Sequence, residues 1–160
     1  MRPAYLLALA VLLIDQLSKY WVTDILHLPE RGSIPVLPVF SLTFVGNVGV
    51  SMGLLQAGSD VARWGLTLLT AAIAGIVALW IRRESNRSDA MALGLVLGGA
   101  LGNILDRVRY GFVVDFLHFF WGPYSFWVFN VADAAISLGV IMLLARALFA
   151  GQPQKDENHA

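Results

Sequence analysis

Two carboxylates stand beside apolar segments of this 160-residue chain: Asp115 in Val113-Val114-Asp115-Phe116 and Asp133 in Phe129-Asn130-Val131-Ala132-Asp133. Centring an ionised acid in hydrocarbon costs roughly 2.5 to 3.5 kcal/mol on insertion scales, so acids retained at such places point to function. Two acids held close together cannot both ionise cheaply. One keeps its proton while the other serves as general base, and the pair can then activate water without a metal. Asn130 lies three residues before Asp133, on the same face if a helix has begun, where its amide can orient that carboxylate or a substrate carbonyl. Taken singly, each acid has a plainer use, capping a helix or meeting an arginine at the membrane boundary. Together with Asn130 they favour the chemical use.

Other polar residues share this spacing logic. Asn103 and Arg107 are four apart at the end of an apolar run and project from one helix face, where the guanidinium can hold a carboxylate or a backbone carbonyl. Snorkelling to headgroups is an equal use for Arg107 considered alone. Asp15 and Lys19 repeat the spacing with the acid first, the favourable order for an ion pair. A structural role that ties this helix to a neighbouring polar residue is preferred. Asn47-Val48-Gly49 offers an amide beside a glycine, a peptide-backbone contact or simply a turn. Gly94, Gly98 and Gly102 recur every four residues and form a stripe on which another helix can pack closely.

These residues need a membrane bundle to position them. The chain is 58% hydrophobic and 14% charged, outside the range of soluble domains. Apolar runs at 4–21, 64–81, 90–105 and 131–148 predict four transmembrane helices, the third only if its ends extend past the run, because a span needs about 20 residues. The first run lacks a cleavage site and leads into Asp15 and Lys19, so a retained signal-anchor is expected. Residues 1–150 are expected to form a single integral membrane domain, and 151–160 a polar cytoplasmic tail without fixed structure. Eleven basic and eleven acidic residues leave no net charge, which sets nucleic-acid binding aside. With no cysteine and only His27, His118 and His159 as imidazoles, disulfides and thiol chemistry are excluded, and neither a metal nor a cofactor is expected.

Four spans put both termini on one side. The connection Arg82-Arg83-Glu84-Ser85-Asn86-Arg87 packs three arginines between two spans and marks that side as cytoplasmic. The longer connections, 22–63 and 106–130, then face outward with Asp115. Lys19, Arg31, Arg63, Arg107 and Arg109 nearly balance the count there, so orientation rests on the short arginine loop. Alternation in Phe40-Ser41-Leu42-Thr43-Phe44-Val45 predicts a small β element in the first outer connection. The second is crowded with aromatics from Phe112 to Phe129, read mainly as an interfacial belt.

Taken in order, the motifs resemble those of lipoprotein signal peptidase, the bacterial signal peptidase II family of membrane aspartic peptidases. Asp15-Gln16-Leu17-Ser18-Lys19, Asn47-Val48-Gly49, residues 98–107, Gly111-Phe112-Val113-Val114-Asp115-Phe116 and Phe129-Asn130-Val131-Ala132-Asp133 are similar to its five motifs. The resemblance implies an aspartic endopeptidase of the cell inner membrane, a hydrolase in lipoprotein processing, acting toward the outer face and as a monomer. Its substrate would be a prolipoprotein, cut just before a diacylglyceryl-modified cysteine, with membrane lipid as its surroundings. Asp115 and Asp133 would be catalytic, while Asp15, Lys19, Asn47, Gly49, Asn103, Arg107 and Asn130 would bind substrate or hold the geometry. One departure is Val50-Ser51-Met52, where family members carry small residues and then an aromatic. Two rival readings are a proton-coupled transporter dependent on Asp15 and a noncatalytic anchoring subunit built on the glycine stripe.

Overall fold

The computed structural model describes residues 1–49 and 60–149. The expected tail and the departure at 50–52 lie outside those residues. Helix α1 (Arg2–Tyr20) runs through a π-helical turn at Trp21–Ile25 into the short α2 (Leu28–Arg31). Strands β1 (Ser33–Leu37) and β2 (Phe40–Asn47) follow, then the long helices α3 (Asp60–Ile81) and α4 (Arg87–Tyr110). Strands β3 (Val113–Trp121) and β4 (Tyr124–Ser125) precede α5 (Val131–Phe149).

Four helices are long and apolar enough to cross a membrane: Arg2–Ile25, Asp60–Ile81, Arg87–Tyr110 and Val131–Phe149. The third span extends past its apolar run at both ends because the sequence terminates it with strong caps. Asn86 accepts from the backbone N–H groups of Ser88 and Asp89, and Gly111 closes the other end at φ 86°, a conformation open to glycine without strain. Helix α4 is the interior helix and packs against α1, α3 and α5. A Cβ on Gly94 or Gly98 would come within 2.5 Å of the carbonyl oxygens of Ala4 and Ala8. The glycine stripe therefore sets the α1–α4 approach, with Ala4, Ala8, Leu93 and Leu97 in the core between them. Outward-facing Leu6, Leu9, Leu13, Leu68, Ile76 and Leu144 are exposed, as a lipid-facing surface requires.

The β element is larger than its expected place in the first connection. One four-stranded antiparallel sheet, in the order β1-β2-β3-β4, takes two strands from each of the two longer connections. The aromatic connection is thus half strand: Val113, Val114 and Phe116 are buried, and Val114 and Phe116 close over Val22, Leu28 and Leu42. Trp121, Tyr124, Phe126 and Trp127 stay exposed and retain the character of a belt. The Val-Val-x-Phe run has β-forming residues, but four residues between a helix end and an aromatic cluster carry no usable alternation.

Register matters here. Leu42 pairs with Leu117 and Val45 with Asp115, so β2 has one extra residue against β3. A bulge of this kind turns every later side chain to the opposite face. It places Val45 opposite Asp115 and Asn47 opposite Val113, on the same face as Asp115.

Candidate active site

The sequence-predicted residues converge where the ends of α1, α4 and α5 meet the sheet. Asp115 comes from β3 and Asp133 from the first turn of α5. Asn130 caps that helix, its Oδ1 accepting from the Asp133 backbone N–H at 2.9 Å. Asp15, on another helix, accepts from the next free N–H, that of Ala132, at 2.9 Å. A carboxylate is stabilised at a helix N-terminus by these unpaired donors.

Three amides surround the acids, and each is oriented by a group that can only donate. Gly49 N–H donates to Asn47 Oδ1 at 2.8 Å, the Asp133 N–H to Asn130 Oδ1, and the Lys19 ammonium to Asn103 Oδ1 at 3.3 Å. All three NH₂ groups must then face carboxylates. Asn47 donates to Asp115 Oδ2 at 2.9 Å and Asn130 to Asp115 Oδ1 at 2.6 Å. Asn103 donates to Asp133 Oδ1 at 2.7 Å. Asn130 also reaches Asn103 Oδ1 at 3.2 Å, so Asp115 and Asp133 are joined through two amides.

Behind this layer Lys19 is fully engaged. Its three donors meet Asp15 and Asp106 at 2.8 Å each and Asn103. Gln16 bridges the two acids, donating to Asp106 Oδ1 at 2.9 Å and Asp15 Oδ2 at 3.2 Å. Asp106 accepts in addition from Val114 N–H at 3.0 Å, which ties α4 to the strand bearing Asp115. A Cβ on Gly102 would strike the Asp15 carboxylate at 2.5 Å, so the last glycine of the stripe makes room for a charge. Asp106 and Gln16 were missed as site residues. Asp106 lies three residues after Asn103 on one helix face, and the cost argument applied to Asp115 applies equally to it.

Gly49 has φ 82°, and a Cβ there would run into Leu66; the tight turn that aims Asn47 requires glycine. Arg63 of α3 donates to the carbonyls of Arg107 and Val108 at 2.9 Å each and closes the end of α4. Arg107 lies in the field of Asp133, Asp106 and Asp115, but its buried Nε has no hydrogen-bond partner among the described residues.

Asp115, 1% exposed, borders an open cleft of about 430 Å³ shared with Asn47, Gly49, Phe126 and Trp127. Burial pushes its pKa up and Asp133's charge adds to that, while the amides of Asn47 and Asn130 pull the other way, leaving it at about 6. Burial dominates, as expected for a carboxyl withdrawn from water.

The sequence matches the family described as Signal peptidase (SPase) II over residues 7–149. The chain belongs to the signal peptidase II family. Membership makes it a membrane aspartic peptidase, a hydrolase that processes prolipoproteins. It is 52% identical to a lipoprotein signal peptidase of Rhizorhabdus wittichii over 92% of this chain and 86% of that one. Identity to a lipoprotein signal peptidase of Sphingopyxis alaskensis is 44%, over 95% and 88% of the two chains. A bacterial membrane enzyme solved by the in meso method at 1.9 Å superposes with a TM-score of 0.81 and 29% identity, over 95% of this chain and 96% of that one. The family shown is one of peptidases, not of transporters or anchoring subunits.

Proposed function

We propose that Asp115 and Asp133 together activate the water by which this signal peptidase II cuts a prolipoprotein just before a diacylglyceryl-modified cysteine. The observation that carries this reading is the pair of carboxylates joined by amides, one at the wall of the cleft and one at a helix N-terminus. In the working form the pair holds one proton. The ionised member takes a proton from water as its oxygen attacks the scissile carbonyl carbon, and the other gives its proton to the carbonyl oxygen. The resulting diol collapses as the C–N bond breaks, the leaving nitrogen is protonated and the pair returns to one proton. Three oriented amides hold the carboxylates throughout without rearranging, which lowers the cost of reaching the transition state.

The spare Nε of Arg107 is a donor for a substrate carbonyl, and Gly49 with Asn47 borders the cleft where peptide backbone would lie. The acids sit where helix ends meet the sheet, so a lipid-modified cysteine resting at headgroup depth would bring its preceding bond to them. The arginine loop between α3 and α4 favours a cytoplasmic side for both termini and an outward-facing site, in the bacterial inner membrane. All the residues invoked come from one chain, which supports action as a monomer. The test is cleavage of a diacylglyceryl-modified precursor and its unmodified counterpart by wild type, Asp115→Asn and Asp133→Asn. Wild type should cut the modified precursor, and each variant should fail. Near-normal turnover by either variant overturns the assignment.

A further inference from the structure

At the end of the bundle away from the aspartates, α3 carries two adjacent apolar stripes that each lead to an arginine in the turn just past the helix. Gly75, Ala78 and Leu79 lead to Arg82, and with Tyr5 of α1 they line a groove of about 570 Å³. Ile76, Leu79 and Trp80 lead to Arg83 and line a second of about 350 Å³. The grooves share Leu79 and so run side by side. Each stripe has the i, i+3, i+4, i+7 spacing of one helix face, and a seven-residue rise makes each about 10 Å long. The wider groove exists because α1 and α3 both pack on α4, with Tyr5 Oη donating across to the Ala78 carbonyl at 2.7 Å.

Charge at this end is one-sided. Glu84 is occupied by the Asn86 N–H at 2.8 Å and Asp89 is paired with Arg146 at 3.4 Å. Arg82, Arg83 and Arg87 have no ion-pair partner among the described residues. Arginine at a helix C-terminus complements the helix carbonyls by itself, but that role leaves the grooves unexplained. So does Gly75: a Cβ there would meet nothing within 4 Å, unlike Gly94 or Gly98. A glycine inside a helix is unfavourable relative to alanine, and here no helix packing requires it.

We propose that this end of the bundle binds one anionic phospholipid, its phosphate between Arg82 and Arg83 and one acyl chain along each groove. Guanidinium groups pair with phosphate oxygens through two parallel hydrogen bonds, and basic pockets on apolar helix faces are suited to anionic headgroups. The inference rests on the membrane location alone and is independent of the peptidase chemistry.

Native mass spectrometry of the detergent-purified full chain, with phosphatidylglycerol and phosphatidylcholine of matched chains, tests it. One phosphatidylglycerol should be retained with a preference of at least about fivefold, the contribution of a single arginine at a membrane surface. Arg82→Gln with Arg83→Gln should abolish the preference. Gly75→Leu, whose Cβ meets nothing within 4 Å, places a side chain in the wider groove and should weaken retention of phosphatidylglycerol while leaving the charge intact. Inorganic phosphate should not compete at equal concentration. Equal retention of the two lipids overturns the proposal, and so does a preference indifferent to both variants or displaced by phosphate. If residues 150–160, with Asp156 and Glu157, occupy the arginines instead, the preference will emerge only after their removal, which also overturns it.

Discussion

The Lys19 cluster and the aspartate pair lie one layer apart, built from the same residue types, and differ in how completely their polar atoms are used. Every donor of Lys19 has a partner, Asp15 and Asp106 are 0% exposed, and Gln16 fills the space between them. At the pair, Asp133 is only half buried, a cleft opens beside Asp115 and the Nε of Arg107 has no partner among the described residues. A buried charge network with nothing left over holds helices together. One with unspent donors and an opening is prepared for a substrate.

That contrast predicts opposite failures. Asp115→Asn and Asp133→Asn should each lower kcat by about 10³-fold or more, in line with loss of an essential acid or base, with the melting temperature almost unchanged. Thermal unfolding in detergent beside the cleavage assay checks both halves, and a large fall in stability would erase the distinction. Lys19→Met should do the reverse. Removing one partner leaves two buried carboxylates uncompensated, a loss of about 3 to 5 kcal/mol, so stability should collapse before catalysis can be compared. Unchanged unfolding would show that the cluster is not structural.

A smaller effect separates the layers by pH. Asp115 stands near 6, against an ordinary 3.8, so the folded chain favours its protonated form. Its contribution to stability is full below pH 3.8 and lost as pH rises through about 6. A pair that works with one proton loses it in the same window, and kcat/KM of the free enzyme should fall above pH 6. Asn47→Ala removes a donor that favours the charged form, so the limb should move upward. A pH–rate series in detergent in which the limb stays put or moves down would contradict the role of that amide. Least of all, Arg146→Gln at the partly exposed pair with Asp89 should change stability by less than about 1 kcal/mol. A larger loss would mean that the far end, too, depends on a charge network.

The same contrast explains what could be read without coordinates. The helices were legible because membrane spans are long and apolar, and Asn130 beside Asp133 because three residues on a helix share a face. Asp15 with Lys19 was legible as a pair, but its completion by Asp106 and Gln16 depends on how α1 and α4 pack, which no local spacing encodes. The strand at Val113–Trp121 hid behind its aromatics. The bulge between Leu42 and Val45 was invisible because alternation in 40–45 looks unbroken; tertiary pairing alone shows where one residue is skipped.

The Lys19 cluster also dictates when the enzyme can exist. Its members come from α1 and α4, while Asp15 reaches on to the backbone of α5, the last span to be synthesised. Until that span arrives, Asp15 lacks the Ala132 N–H from which it accepts, and Asn130 and Asp133 are not yet in place beside Asp115. A chain still being inserted is therefore an unarmed protease, and completion of the bundle is the step that arms it.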